Sequence, residues 1–219
     1  MPATPPSGRP PERPPGQTTG ASQSPLWQRL QALDPADVTA RSLARIGQDG
    51  RYELPVLGSR VWVDPRTEAV TSAWPEVIRA DPLLAVSAVG YLLTARDVPL
   101  AGELVSPAQL PEGEIFFRGP HELPGDGLAA LFGTDGDRFR EVLTKLGGRP
   151  APLADVGVEV SIYPRLPLWL GFWRADDEFP ARMTFLLDRS AGAHLALDAL
   201  GAAILVALGA VRRLAAKGA

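Results

Sequence analysis

The last third of the chain alternates apolar and polar positions in a way that predicts three consecutive β-strands. Apolar residues recur at every second position from Val158 to Ile162. Segment 168–173 then carries Leu and Phe residues on one face and two tryptophans on the other, and segment 183–187 is a third apolar run. Because successive side chains of a strand point to opposite faces, this period indicates strands. The short links between the segments predict an antiparallel meander.

A hairpin and two helices are predicted in the first half of the chain. Asp34-Pro35 and Asp81-Pro82 each place a capping carboxylate before a proline, the arrangement that begins a helix. We expect helices over 35–46 and 82–95. Between them, apolar residues alternate on both sides of a Gly-Ser turn, which predicts a hairpin over 52–63.

Two further helices are predicted later in the chain. One runs from Asp137 to Leu146 and ends at a pair of glycines. A longer one runs from about Ala193 to Ala215, with no charge in the 13 residues between Asp198 and Arg212. A bilayer span needs about 20 apolar residues, so we expect a buried helix and no transmembrane span. A shallow membrane-associated tail, helped by the basic residues that follow, is the alternative.

The N-terminal segment has a different composition from the rest. Residues 1–25 contain eight prolines and three glycines and have almost no large apolar side chain. Such a segment buries too little surface to offset its ordering entropy, so a disordered tail with polyproline character is predicted. We therefore expect one α+β domain over 26–219, in which an antiparallel sheet packs against helices. The tail does not resemble a secretory signal, which favours a cytoplasmic protein.

Composition excludes several kinds of chemistry. The chain has no cysteine, so it cannot by itself hold an iron–sulfur cluster, a thiolate zinc site or a cysteine nucleophile. Its two histidines do not have the spacing of a zinc-protease helix. The formal net charge of −3 argues against a broad nucleic-acid-binding surface. The sequence does not identify a cofactor.

The acidic triplet Asp176, Asp177 and Glu178 is a candidate divalent-metal site. Carboxylates are the ligands that magnesium, manganese and calcium prefer, and paired carboxylates can divide acid and base roles. Adjacent residues of a strand point to opposite faces, so a turn would have to gather the three side chains. The alternative is a solvated hairpin turn without a metal.

A second candidate site lies at the other end of the predicted hairpin. If residue 173 lies opposite about 181, Asp188 lies opposite 165 or 166 and becomes a neighbour of Arg165. His194 follows at the same end of the sheet. With Trp173 in a groove nearby, these residues could bind an anionic ligand. The alternative is an ion pair that fixes the corner between strand and helix.

Three stretches of the sequence resemble a known family. They are Ile162-Tyr163-Pro164-Arg165-Leu166-Pro167, Trp173-Arg174-Ala175-Asp176-Asp177-Glu178-Phe179-Pro180, and Leu187-Asp188. They are similar to the bacterial and archaeal domain of unknown function 3786 family, and the likeness runs from about Tyr52 to Leu208. In the family's usual pattern glycine and glutamate stand where this chain has Ala175 and Asp177.

The resemblance implies a setting but no reaction. Relatives often carry a cysteine-rich iron–sulfur domain and occur in anaerobes with corrinoid and one-carbon chemistry. This chain would need a partner for any redox role, because it has no cysteine. We therefore expect a non-catalytic accessory protein that binds a small anionic ligand or a protein partner in one-carbon or redox metabolism. The alternative is a divalent-metal, carboxylate-dependent hydrolase.

Overall fold

A computed structural model describes residues 24–217 of the chain. The predicted disordered tail lies outside the described residues, except for its last two positions, which begin a helix. The helices of the described part are α1 Ser24–Gln31, α2 Pro35–Ser42, α3 Pro82–Thr94, α4 Gly113–Phe116, α5 Gly125–Ala129, α6 Gly136–Lys145, α7 Ala191–His194 and α8 Leu197–Lys217. The strands are β1 Arg45–Ile46, β2 Tyr52–Val56, β3 Ser59–Asp64, β4 Ala69–Ser72, β5 Leu104–Val105, β6 Arg149–Ala151, β7 Val156–Tyr163, β8 Leu166–Trp173 and β9 Arg182–Asp188.

The strands form two antiparallel sheets instead of the single sheet that the sequence suggested. The first has the order β1-β2-β3-β4 and is built around the predicted hairpin. The second has the order β5-β9-β8-β7-β6, and its centre is the predicted meander. The N–H of Leu57, in the β2–β3 turn, donates to the carbonyl of Ser161 in β7 at 3.1 Å. A backbone hydrogen bond from the β2–β3 turn therefore joins the two sheets, and the α+β class is confirmed.

The long apolar helix α8 lies in the core. It packs against α3, where Gly90 faces Ala199 so closely that a Cβ at position 90 would lie 3.1 Å from the Ala199 Cβ. Small residues on both helices thus permit the close approach. Helix α8 is long and apolar enough to cross a bilayer by length and composition, but 72% of its most apolar window is buried inside the protein. This burial is typical of the core helix of a folded domain.

The predicted helices over 82–95 and 137–146 are confirmed within one residue. The prediction that the first helix continues to residue 46 is wrong. Leu43 adopts a left-handed conformation with φ of 60°, and its N–H caps the helix on Thr39, so the chain turns into β1. The predicted C-terminal helix is likewise interrupted, because Leu195 is extended and separates α7 from α8.

A buried polar contact holds the helices to the second sheet. The rings of Tyr91 in α3 and Tyr163 in β7 stack with centroids 4.7 Å apart. The hydroxyl of Tyr163 lies 2.7 Å from that of Ser87, and the hydroxyl of Tyr91 donates to the carbonyl of Ser42. Burial raises the pKa of Tyr91 to about 12 and also raises the pKa of Tyr163, so both tyrosine hydroxyls stay neutral hydrogen-bonding partners.

Candidate functional site

The predicted cluster of Arg165, Asp188 and His194 lies at the start of β8 and the end of β9, but the predicted Arg165–Asp188 ion pair does not form. The guanidinium of Arg165 contacts Asp97 at 2.5 Å and donates to the carbonyl of Arg41 at 2.8 Å. The hairpin register explains the difference, because Trp173 lies opposite Arg182, one residue later than we expected. Asp188 pairs instead with the edge strand β5 on its other side.

The partners of Asp188 are backbone N–H groups and not the guanidinium of Arg165. Its carboxylate accepts hydrogen bonds from the N–H groups of Ala101, Gly102 and Ser190 at 2.8, 2.8 and 2.9 Å. The residue is 2% exposed. Burial acts to raise its pKa, but the hydrogen bonds from Ser190 and from the 101–102 loop outweigh it and keep the pKa below its ordinary value. Asp188 thus fixes the corner between β9 and α7.

His194 is fully buried beside this corner. Its Nδ1 accepts the N–H of Arg96 at 3.3 Å, which places the ring proton on Nε2, and Nε2 has no hydrogen-bonding partner within residues 24–217. Burial, followed by the positive charge of Arg165, lowers the pKa of the imidazole. A neutral, enclosed ring cannot contact an external anion, so the geometry favours the structural alternative for this cluster.

The acidic triplet forms the hairpin turn between β8 and β9. A single oxygen of Asp176 accepts the N–H groups of Glu178 and Phe179 at 2.9 and 2.7 Å, and these bonds lower its pKa. All three acidic side chains are exposed. No group of three carboxylate or imidazole side chains in residues 24–217 is arranged to hold a metal ion. The turn therefore gives no support to the metal-dependent hydrolase.

Trp173 lies at the opposite end of β8 from Arg165, about 25 Å away at 3.3 Å per residue. It therefore cannot share a small ligand site with Arg165, Asp188 and His194. It lies instead in an open groove with a volume of about 1000 Å³. The groove is lined by the β8–β9 turn and by loops next to α5 and β7, with Asp126, Ala130, Gly133, Asp155, Trp173, Arg174, Ala175, Asp176, Phe179, Pro180, Ala181 and Arg182. We call this region the Trp173 groove.

Backbone hydrogen bonds fix the wall of the Trp173 groove. The N–H of Arg174 donates to the carboxylate of Asp155 at 2.9 Å, and that of Ala175 donates to the carbonyl of Gly133 at 3.2 Å. These bonds tie the turn to two different loops, so the groove has a defined shape before anything binds. The turn is therefore anchored at its base and closed by Asp176 at its tip.

Two arginines of the groove have no acidic partner in the part of the chain that the structure describes. The guanidinium of Arg182 lies over the Trp173 ring at 5.3 Å from its centroid, a cation–π contact. The guanidinium of Arg174 lies across the start of α6, within 3 Å of where a Cβ on Gly136 would be. Neither side chain forms an ion pair with any residue in the described range, whereas nine other basic side chains there do.

The groove also exposes aromatic surface. Trp173 is 39% exposed and Phe179 is 65% exposed. Sequence reasoning identified Trp173 but missed the two arginines and the role of Phe179. The signal that could have found Arg182 is its position, since the residue that starts the return strand of a hairpin lies opposite the one that ends the first strand.

One comparison with known proteins identifies the family. A family model described as domain of unknown function (DUF3786) matches residues 34–208. No curated protein and no solved structure is significantly similar to the chain. The matched range includes both ends of β8, and it begins earlier than the resemblance noted from Tyr52. The chain belongs to the DUF3786 family, whose function is unknown.

Proposed function

We propose that the protein is a non-catalytic accessory protein that binds a segment of a partner protein in the Trp173 groove. The observation that carries the proposal is an exposed tryptophan and an exposed phenylalanine beside two arginines that lack acidic partners among the described residues. Tryptophan and arginine are the residue types that most often dominate the energy of protein interfaces. The partner segment would place an apolar side chain between Trp173 and Phe179. Its carboxylates would lie at Arg174 and Arg182, away from Asp126, Asp155 and Asp176, which also line the groove.

The exposed aromatic area is large enough to matter. With 39% of Trp173 and 65% of Phe179 accessible, about 230 Å² of aromatic surface is open to water. Covering it at about 25 cal/mol per Å² would contribute about 6 kcal/mol, before the costs of association. The volume of about 1000 Å³ lies at the upper end of the range for small-molecule pockets, which favours a chain segment over a compact ligand.

Catalysis has no comparable support in the described residues. His194, which lies near Asp188, is buried and neutral, and the carboxylates of the acidic turn are exposed to solvent. Accessory binding in one-carbon or redox metabolism, which the family resemblance implies, stays a prediction. So does a cytoplasmic location.

A display library of random peptides tests the proposal without a known partner. Peptides selected on the full-length protein should carry carboxylates next to an apolar anchor. We expect Trp173→Ala to weaken their binding at least tenfold, the equivalent of about 1.4 kcal/mol. Arg182→Gln should weaken it less, because it removes one exposed charge.

Ile115→Ala is the matched control, since Ile115 is 83% exposed and lies outside the groove. It should leave peptide binding unchanged. Selected peptides that bind the Trp173→Ala variant as tightly as the parent protein would contradict the proposal, because the binding surface would then lie elsewhere.

A further inference from the structure

A second cavity lies on the far side of α5 from the Trp173 groove. It runs between the start of α3, helix α5 and the C-terminal half of α8, and its volume is about 360 Å³. We call it the α8 slot. Its lining residues are Asp81, Leu83, Pro124, Gly127, Leu128, Leu205, Val206, Leu208, Gly209, Arg212 and Arg213.

The α8 slot has an apolar floor and an apolar rim. Leu128 and Val206 are buried beneath it. Leu83 and Leu205 stand at its edges and are 42% and 37% exposed, which is unusual on two helices that otherwise direct their leucines into the core. Ligand pockets of known proteins have this combination of apolar walls and few polar groups.

One end of the slot is positively charged. Arg213 donates its Nε–H to the carbonyl of Val77 at 2.7 Å, which fixes the guanidinium at the slot. Neither Arg212 nor Arg213 forms an ion pair within residues 24–217. Burial, and then the charge of Arg79, lowers the pKa of Arg213, so an added negative charge would be favourable there. Asp81 is the one acidic residue of the lining, and its side chain also caps α3.

We propose that the α8 slot binds a single-chain amphiphile with an anionic head group, of the fatty-acid class. The head group would lie at Arg212 and Arg213, and the acyl chain would cover Leu83 and Leu205. At about 30 Å³ for a group the size of a water molecule, 360 Å³ accommodates about 12 such groups. That number corresponds to a chain of about ten carbons with a carboxylate. The α8 slot and the Trp173 groove share no lining residue, so the site is independent of the proposed partner groove.

Decanoate is the probe, titrated into the full-length protein by calorimetry and checked for stoichiometry by native mass spectrometry. We expect saturable binding of one molecule. Decyltrimethylammonium, with the same chain and the opposite charge, and acetate, with the head group alone, should bind much more weakly. Arg212→Gln should weaken decanoate binding about fivefold through the loss of one charged contact.

Two control variants make the result specific. Arg149→Gln removes an exposed arginine that also lacks an ion pair but lies outside the slot, and it should leave binding unchanged. Leu205→Glu should abolish binding, while Ile115→Glu should not. Equal binding of the cationic and anionic amphiphiles, equal effects of the two arginine variants, or no binding of decanoate would each overturn the proposal. Binding to vesicles of anionic phospholipid without binding of free decanoate would also overturn it, in favour of a membrane contact.

Discussion

The carboxylate of Asp188 offers the sharpest quantitative test of how the structure is held together. In Asp188→Asn, one amide oxygen can still accept the N–H groups of Ala101 and Ser190, which both contact Oδ1. In the parent protein the N–H of Gly102 contacts Oδ2 at 2.8 Å. In the variant the new NH₂ group takes the place of Oδ2 and faces this N–H. One charge-assisted hydrogen bond is lost and two donors oppose each other.

Hydrogen bonds to charged groups contribute about 1.5–3 kcal/mol each, and the two remaining bonds become neutral and weaker. We therefore expect Asp188→Asn to lower the free energy of unfolding by about 2–4 kcal/mol, a large part of the 5–15 kcal/mol typical of a domain. Urea unfolding followed by tryptophan fluorescence measures this as a lower midpoint with an unchanged slope.

Asp176→Asn is the matched control. Asp176 also accepts two backbone N–H groups, but both contact the same oxygen and the turn is exposed. Asparagine replaces aspartate well in such turns, so we expect a loss below about 1 kcal/mol. Equal losses in the two variants, or an Asp188→Asn protein within about 0.5 kcal/mol of the parent, would refute the reasoning.

The pH dependence of the stability difference between the parent protein and Asp188→Asn adds a second check. The pKa of Asp188 is lower in the folded protein than in the unfolded chain, so its stabilisation is present above the unfolded value, about 3.9, and is lost as the pH falls through the folded value. The stability gap between the parent protein and Asp188→Asn should therefore narrow in acid. A gap that stays constant down to pH 2 would contradict the charge-assisted bonds.

Three further predictions concern two sets of buried side chains and one tight turn. Because burial lowers the pKa of His194, the free energy of unfolding should fall as the pH drops from 7 through the unfolded-state pKa of about 6.5. His194→Asn keeps an acceptor for the Arg96 N–H and should reduce that fall, measured by urea unfolding between pH 7 and 5.5. An equal fall in both proteins would count against a neutral buried ring. Tyr163→Phe should lower the free energy of unfolding by about 1 kcal/mol. The double variant Tyr163→Phe/Ser87→Ala should lose less than the sum of the two single losses, because it removes both partners of the hydrogen bond and leaves neither unpaired. Strictly additive losses in chemical unfolding would contradict this. Gly58→Ala should cost about 2 kcal/mol or more, because φ is +68° and the new Cβ would lie 2.8 Å from a backbone nitrogen; an unchanged melting temperature would show that the turn can move.

The regular elements could be predicted because their signals are local. The meander follows from the apolar positions of 158–162, 168–173 and 183–187, and the starts of α2 and α3 follow from an aspartate before a proline, which the structure confirms as N-caps. The end of α2 could not be predicted in the same way. Its left-handed cap falls on Leu43, a residue type that gives no sign of such a conformation.

The partners of charged residues could not be predicted, because they depend on how distant elements pack. A register difference of one residue moved Asp188 away from Arg165, and the actual partner, Asp97, is 68 positions earlier in the chain. Backbone N–H groups, which are the partners of Asp188, carry no side-chain signal at all. The sequence therefore located the polar residues at this corner but did not reveal what each one holds.

The Trp173 groove likewise combines one feature that the sequence indicated with others that it did not. An exposed tryptophan at the end of a strand was predictable as a candidate binding residue. Its neighbours come from the turn and from parts of the chain far away in sequence, including Asp126 in α5 and Asp155 in the loop before β7. The groove is therefore a property of the tertiary fold, and only the structure shows that Arg174 and Arg182 stand there without acidic partners among residues 24–217.

Site-specific photo-crosslinking in the source cells tests the central claim most directly. A photoreactive phenylalanine analogue at position 179 lies in the Trp173 groove, and position 115, outside the groove, is more exposed than position 179. We expect position 179 to capture one defined partner protein, identified by mass spectrometry, and the product to disappear when Trp173→Ala is added. Identical products from both positions, or a product at position 179 that persists without Trp173, would contradict a partner-binding groove.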